Sequence, residues 1–368
     1  MSLPAARPSE GACAAPCRVM LVDDSAVVRG FFRRALESEP DISIVASVAN
    51  GQAAIEALAR TPAEIVVLDI DMPVMDGLTA LPRLLAIDPA LQVIMASTLS
   101  AGNADISLKA LALGAVEYIP KPAAAGGQPA VDAFHRELVG KVRALGRARR
   151  GLPAARPPRR PQSPDAIRLR PESPLPPAVL AIGCSTGGPQ ALLKVIHGLG
   201  PAFALPVLVT QHMPPTFTGI LAAHIEKATG REAREAADGE PVRAGCVHVA
   251  PGDFHMLVEG APAGPVIRLS QAPPENFCRP SVDPMLRSAA AVYGGRLLAA
   301  ILTGMGHDGL GGAHSVIELG GTVIAQDAAT SVVWGMPGAV AHAGLCSAVL
   351  PINALAAKIR RLAGRVAA

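Results

Sequence analysis

Residues 65–77 read IVVLDIDMPVMDG. A short run of Ile, Val, Val and Leu stops at an acid, Asp69, and is punctuated at once by Pro73 and Gly77. Such a run, too short for a helix and bounded by turn residues, is the signature of a buried strand whose end opens into a loop. Outward from it the pattern repeats. Strands are predicted at Val19–Val22, Ile42–Val48, Ile65–Leu68, Gln92–Ala96 and Val116–Ile119, with amphipathic stretches such as Ala26–Glu37 and Gln52–Arg60 between them. Alternating strand and helix patterns of this length predict a doubly wound, flavodoxin-like α/β domain over residues 18–146.

Beyond residue 146 the periodicity stops, and residues 147–177 are dominated by Pro, Arg and Ser, as in RARRGLPAARPPRRPQSP. Too little apolar surface is available there to offset the entropy of ordering, so a flexible linker is expected. Its arginines carry no interleaved aromatics and no attached binding module, which argues against a nucleic-acid tail. Strand-like runs return at Val179–Ile182, Pro206–Thr210, Val247–Ala250, Leu297–Leu302 and Thr322–Ala325, with helical stretches at Ala191–Gly198, Met285–Val292 and Gly312–Leu319. A second parallel α/β domain, Rossmann-like, is therefore expected over 178–368.

The bulk composition agrees with two such domains. The 368 residues are 50% apolar but only 3% aromatic, so both cores must be built from aliphatic side chains. A net charge of +3 is too small to imply nucleic acid. No apolar run approaches the ~20 residues of a membrane helix, and no secretory signal pattern stands at the start, so a cytoplasmic protein without direct membrane insertion is expected. Six cysteines are scattered without a CxxC pair, which argues for reduced thiols rather than a zinc site or a disulfide framework.

Chemistry-bearing residues gather where strands end. Asp23 and Asp24 follow the first predicted strand and Asp69 ends the third, so three carboxylates meet at the carboxyl edge of the sheet, where ligands bind in this architecture. They repel one another unless a hard cation joins them, and an open, oxygen-rich site suits Mg²⁺. The cation then draws in a phosphoryl group for Asp69 to attack, while Ser97 and Lys121, at the next two strand ends, can hold the transferred phosphate. The phrases VDDS, LDIDMPVMDG, MAST and GAVEYIPKP resemble the receiver domain of two-component response regulators. That resemblance implies phosphorylation at Asp69, a metal site of Asp23, Asp24, Asp69 and the carbonyl of Asp71, and phosphoryl sensing by Ser97, Tyr118 and Lys121.

In the second domain the strand Val179–Ile182 runs into Gly183-Cys184-Ser185-Thr186-Gly187-Gly188-Pro189. Small neighbours permit a sharp strand-to-helix turn that presents Ser185, with Pro189 suited to the first turn of the following helix. A phosphate loop at this turn would need a Walker lysine or GxGxxG spacing, and residues 183–189 have neither. A serine hydroxyl needs a base and the base an orienting carboxylate. His212, past the strand that ends at Thr210, and Asp308, in the glycine-rich turn after Leu302, are the partners that converge on it. His248, His255 and His307 remain as rival bases, and Asp253 and Asp327 as rival orienters. The turn after Leu302 also offers free backbone N–H groups for an oxyanion hole, Met305 foremost. Cys184 reads as a small packing residue.

The phrases AIGCSTGGP, QHMPPTFT, VHVAPGDFHM, RPSVDPML, LTGMGHDGLGG and ATSVVWGMPGAV resemble the catalytic domain of the chemotaxis protein-glutamate methylesterases. The resemblance implies a triad of Ser185, His212 and Asp308, with Thr186 beside the nucleophile and the Met305 amide in the oxyanion hole, and no cofactor for the esterase. It departs from the expected pattern at Cys184, where alanine is expected, and at Ala328, where an acid is usual. The order receiver, linker, esterase implies a phosphorylation-activated enzyme that removes methyl groups from glutamates of methyl-accepting chemotaxis receptors, with glutamine deamidation as a second activity and a chemotaxis histidine kinase as phosphodonor. The contrasting reading is a response regulator whose second domain only binds a nucleotide or a protein.

Overall fold

The computed structural model describes residues 15–98, 101–121, 127–151 and 167–364. Cys13 and residues 152–166, which make up much of the expected linker, lie outside the described residues.

In the amino-terminal unit, β1 (Cys17–Val22), β2 (Ile42–Val48), β3 (Ile65–Asp69), β4 (Gln92–Ser97) and β5 (Glu117–Pro120) form one parallel sheet in the order β2-β1-β3-β4-β5. Five helices connect and follow them: α1 (Ala26–Glu37), α2 (Gly51–Arg60), α3 (Gly77–Ile87), α4 (Ala101–Ala112) and α5 (Gly127–Arg149). Every residue of β3 is buried, as its unbroken apolar run requires of a strand covered on both faces. Short polar side chains start the first three helices. Ser25, Asn50 and Asp76 accept hydrogen bonds from Val28, Ala53 and Thr79 at 3.3, 2.9 and 2.7 Å, satisfying amides that the helix itself leaves free. Because β1 is flanked by β2 and β3, its end and that of β3 lie at the point where the strand order reverses.

The carboxy-terminal unit is built on a seven-stranded parallel sheet in the order β14-β13-β12-β6-β7-β9-β8. Its strands are β6 (Val179–Cys184), β7 (Val207–Gln211), β8 (Ala233–Glu235), β9 (Val247–Val249), β12 (Leu297–Ile301), β13 (Thr322–Gln326) and β14 (Ala348–Leu350). A separate antiparallel pair, β10 (His255–Glu259) and β11 (Val266–Ser270), stands apart from it. The helices are α6 (Gly188–Leu199), α7 (Pro215–Thr229), α8 (Val282–Tyr293), α9 (Leu310–Glu318), α10 (Met336–His342) and α11 (Ile352–Ala363). Both sheets are parallel α/β sheets, as expected from the sequence. The hairpin, α7, α10, α11 and the three-residue strands β8 and β14 were not distinguished there. Three residues are too few for a period to declare itself.

Residues 167–177 run along the second unit. Arg170 N–H donates to the Cys346 carbonyl at 2.8 Å, Ser173 N–H donates to Thr322 Oγ1 at 2.9 Å, and Glu172 pairs with Lys358 and Arg361. The two units also meet directly. Tyr118 of β5 stacks on Phe217 of α7 with ring centroids 4.3 Å apart, His224 of α7 bonds Asp105 of α4 at 2.9 Å, and Gln190 of α6 donates to the Leu111 and Ala115 carbonyls at the end of α4. One continuous apolar cluster joins Leu108, Leu111 and Tyr118 to Phe217 and Leu221.

Candidate active site

Three adjacent strands carry the three residues expected to form the triad. In the order β12-β6-β7, Ser185 follows the end of β6, His212 the end of β7, and Asp308 lies in the turn after β12. Hydrogen bonds bind these turns together: Ser185 N–H donates to the Thr303 carbonyl at 3.0 Å, and the Thr303 side-chain Oγ1 donates to the Thr186 carbonyl at 2.9 Å. Gly187, at φ +73°, takes the left-handed conformation that a side chain disfavours. Pro189 occupies the first turn of α6. Thr186 is buried, and Ser185 is half-buried.

His212 Nε2 lies 2.7 Å from Asp308 Oδ2. A carboxylate only accepts, so Nε2 carries the proton and Nδ1 is left as the basic nitrogen, 3.4 Å from Cys278 Sγ. Asp308 is 2% exposed and holds its place through further donors. Oδ2 also accepts from Val282 N–H at 2.7 Å, while Oδ1 accepts from Ser281 Oγ at 2.8 Å, Asn276 Nδ2 and Gly309 N–H at 2.9 Å each, and Asp283 N–H at 3.1 Å. The amides of Val282 and Asp283 are the free first amides of α8, so Asp308 caps that helix from another element. Burial alone would raise the Asp308 carboxyl, but His212 and these donors outweigh it and hold the group well below the usual carboxylate range. For His212 burial acts downward, yet the hydrogen bonds to Asp308 and Cys278 prevail and lift the imidazole to about 10.

The rival residues lie elsewhere. His248 is buried in β9 against Glu240 at 2.8 Å, and Asp327 accepts from Thr330 in an exposed turn. Asp253 pairs with Arg279, and His307 is exposed beside Asp308. His255 is nearest: its Nδ1 accepts from Ser281 N–H at 3.2 Å, which helps to seat the residue that bonds Asp308. Cys184 is fully buried, and burial pushes its thiol up. Met305 is exposed in the turn after β12, and its amide has no hydrogen-bond partner among the described residues.

Sequence reasoning missed Asn276, Cys278, Ser281 and Gln211. Ser281 two residues before an acid and three before Pro284 is a readable helix start, but nothing local says that its hydroxyl turns to Asp308 rather than capping α8. Gln211 is buried and links Ser185 to His212, with Nε2 donating to the Ser185 carbonyl at 3.0 Å and the His212 carbonyl at 3.3 Å.

In the amino-terminal unit, carboxylate oxygens of Asp23, Asp24 and Asp69 come within 4.8 Å of one another, a spacing that suits a hard cation. Asp71 is exposed in the turn after β3 and is not one of the three converging carboxylates. Lys121 Nζ bridges Asp23 and Asp69 at 2.7 and 2.6 Å. Burial raises the Asp69 carboxyl to about 6 despite this neighbour. Ser97 is buried with its hydroxyl 3.1 Å from that of Ser107. Tyr118 is buried at the contact with Phe217, and Lys141 lies over its ring at 5.3 Å.

Residues 19–127 match the response regulator receiver domain family, and residues 180–359 match the CheB methylesterase family. The chain is 57% identical to protein-glutamate methylesterase/protein-glutamine glutaminase 1 of Paramagnetospirillum magneticum, over 95% of this chain and 96% of that one. It is 53% identical to the protein-glutamate methylesterase/protein-glutamine glutaminase of Azospirillum brasilense, over 99% and 97% respectively. The crystal structure of the Thermotoga maritima CheB methylesterase catalytic domain aligns with a TM-score of 0.50 at 41% identity, covering 51% of this chain and all of that one. These matches leave no place for a non-catalytic second domain, and the chain belongs to the CheB family of response-regulator methylesterases.

Proposed function

We propose that the chain hydrolyses methyl esters of glutamate side chains on methyl-accepting chemotaxis receptors, under control of phosphorylation at Asp69. The observation that carries this reading is the His212–Asp308 pair on strand ends adjacent to that of Ser185. His212 Nδ1 takes the Ser185 proton as Oγ attacks the ester carbonyl, and the same proton leaves with methanol. Water, deprotonated in turn by Nδ1, then attacks the acyl-enzyme and releases the glutamate and Ser185. Asp308 keeps the ring oriented and supports its positive charge. The Met305 amide and the amino end of α6 face the charge that develops on the carbonyl oxygen, with Thr186 beside it. No cofactor enters these steps. Deamidation of glutamine follows the same route with ammonia as leaving group.

The receiver spans residues 18–146 and the catalytic unit 178–368, with 147–177 between them. Asp23, Asp24 and Asp69, with the Asp71 carbonyl, would hold Mg²⁺, which supplies the positive charge that lets a phosphoryl group approach Asp69. Lys121 and Ser97 hold the phosphate, and Tyr118 passes the change on to Phe217. A chemotaxis histidine kinase is the phosphodonor, the receptors' cytoplasmic domains are the substrate, and neither nucleic acid nor membrane insertion is involved. Among the described residues no helix is long and apolar enough to cross a membrane.

The deciding experiment is methanol release from methylated receptor by wild type and Ser185→Ala, each with and without a small phosphodonor. Release that depends on Ser185 and rises with phosphodonor is expected; equal release by Ser185→Ala would overturn the reading.

A further inference from the structure

The nitrogen that must serve as base is already engaged. His212 turns Nε2 to Asp308, leaving Nδ1 for proton transfer, and Nδ1 lies 3.4 Å from the sulfur of Cys278. Among the described residues Ser185 Oγ has no hydrogen-bond partner. We propose that Cys278 is a positioning residue of the esterase, whose sulfur occupies Nδ1 of His212 in the resting site so that Ser185 must displace it to reach the base. The inference rests on His212 being that base.

The thiol is held where it is by its loop. Glu275 and Cys278 exchange main-chain hydrogen bonds of 3.1 and 3.0 Å, and Glu275 is gripped by both terminal nitrogens of Arg287 on α8 at 2.6 Å. Asn276 Nδ2 donates to Asp283 and to Asp308 at 2.9 Å each, so the loop bearing the sulfur is tied to the carboxylate that orients the ring. Asn276 and Phe277 take left-handed backbone conformations, at φ +54° and +63°, as they turn the chain over the site. Cys278 is also the one cysteine among the described residues that is not buried, so it is not simply filling the core.

A sulfur is suited to this hold because it is a weak partner in both directions. When the ring is charged, Nδ1–H donates to Sγ; when it is neutral, the thiol donates to Nδ1. Either way the nitrogen is taken, and a serine hydroxyl competing for it has only a weak bond to replace. The charged groups around the ring are Asp308 in direct contact, with Asp283 and Glu275 beyond it.

The test is the rate at which a fluorophosphonate labels Ser185 in the full chain, followed from about pH 6 to pH 10. This probe needs the base but not the receptor. Cys278→Ala should label about two- to fivefold faster at neutral pH, the size expected from losing one weak hydrogen bond. Its ascending limb should also move to lower pH, because the sulfur is one of the groups that keep the proton on the ring. Cys278→Ser, whose Oγ lies closer to its own Cβ and so further from Nδ1 than the sulfur does, should also label faster than wild type, and it carries the comparison if the alanine variant does not fold. Profiles superimposable on wild type, or labelling slowed equally at every pH, would overturn the proposal. Labelling that survives His212→Ala at the wild-type rate would instead overturn His212 as the base.

Discussion

Asp308 is fixed more firmly than the imidazole it orients. Its two oxygens accept from His212 and from five other donors drawn from three segments, and that donor set keeps it ionised at 2% exposure. Asp308→Asn leaves the base in place but replaces one acceptor by a donor facing other donors. Methanol release should fall on the order of a thousandfold or more, as when a triad carboxylate is neutralised. Ser281→Ala removes a single donor and should cost about tenfold. For pH the sign follows from the base. As the proposed base, the ring must lose its proton to act, and its pKa is raised from 6.5 to about 10 in the resting enzyme. The rate should therefore climb with pH beyond neutrality; a plateau reached by about pH 7 would show that the ring titrates as an ordinary histidine.

At the scale of elements, the turn after β12 and the turn after β6 are fitted to each other. A Cβ at Gly304 would come within 2.9 Å of Ser185 Cβ and 2.3 Å of Met336 Sδ. Gly304→Ala should therefore displace the nucleophile and lower turnover by at least tenfold, a larger proportional effect than its change in melting temperature. In the receiver, α5 is fastened to the sheet by Arg150, whose guanidinium holds Glu64 at 2.5 Å, and Glu64 also accepts from Arg18 N–H at 2.9 Å. Arg150 first, then burial acting the other way, sets the Glu64 carboxyl at about 2, below its ordinary 4.5. A lowered carboxyl contributes stability that is present above the ordinary value and lost as pH falls through the folded one. Glu64→Gln should thus destabilise the receiver by about 1–3 kcal/mol at neutral pH in denaturant unfolding, and the difference should close toward pH 2.

For the whole molecule, the proposed control by phosphorylation acts through the contact between the units. Tyr118, expected to follow the phosphorylated state, is stacked on Phe217, and Gln190 near Ser185 is bonded to the end of α4. Gly140 of α5 lies close enough to Met305 that an added Cβ would be 3.3 Å from its methyl group. The receiver thus stands over the turn that carries the Met305 amide. Removing residues 1–166 should raise basal methanol release, and Tyr118→Ala in the full chain should do so partly, while Asp69→Asn should stay at the basal rate with any phosphodonor. A truncated enzyme no faster than the unphosphorylated whole would rule out masking. Beginning the fragment at residue 178 instead would remove Arg170, Glu172 and Ser173 from α11 and β13, and that shorter fragment should melt at a lower temperature.

The sequence by itself determined the two parallel sheets and the strand ends that carry chemistry. Apolar runs such as Ile65–Leu68 and Val179–Ile182 must be buried on both faces, and the residues that stop them, Asp69 and Ser185, must then lie at a sheet edge. The amphipathic stretch Ala26–Glu37 likewise coincides with α1. The resemblance implied that His212 pairs with Asp308, but only the tertiary structure brings the two side chains, 96 residues apart, to 2.7 Å and turns His248 and His255 to other partners. It also decided that Ser281, Asn276 and Cys278 face the pair, since their loop leaves the local pattern through two left-handed residues and is held by contacts with α8. The seat of Tyr118 on Phe217 was equally beyond the sequence: an apolar residue facing a partner domain has the same period as one facing its own core.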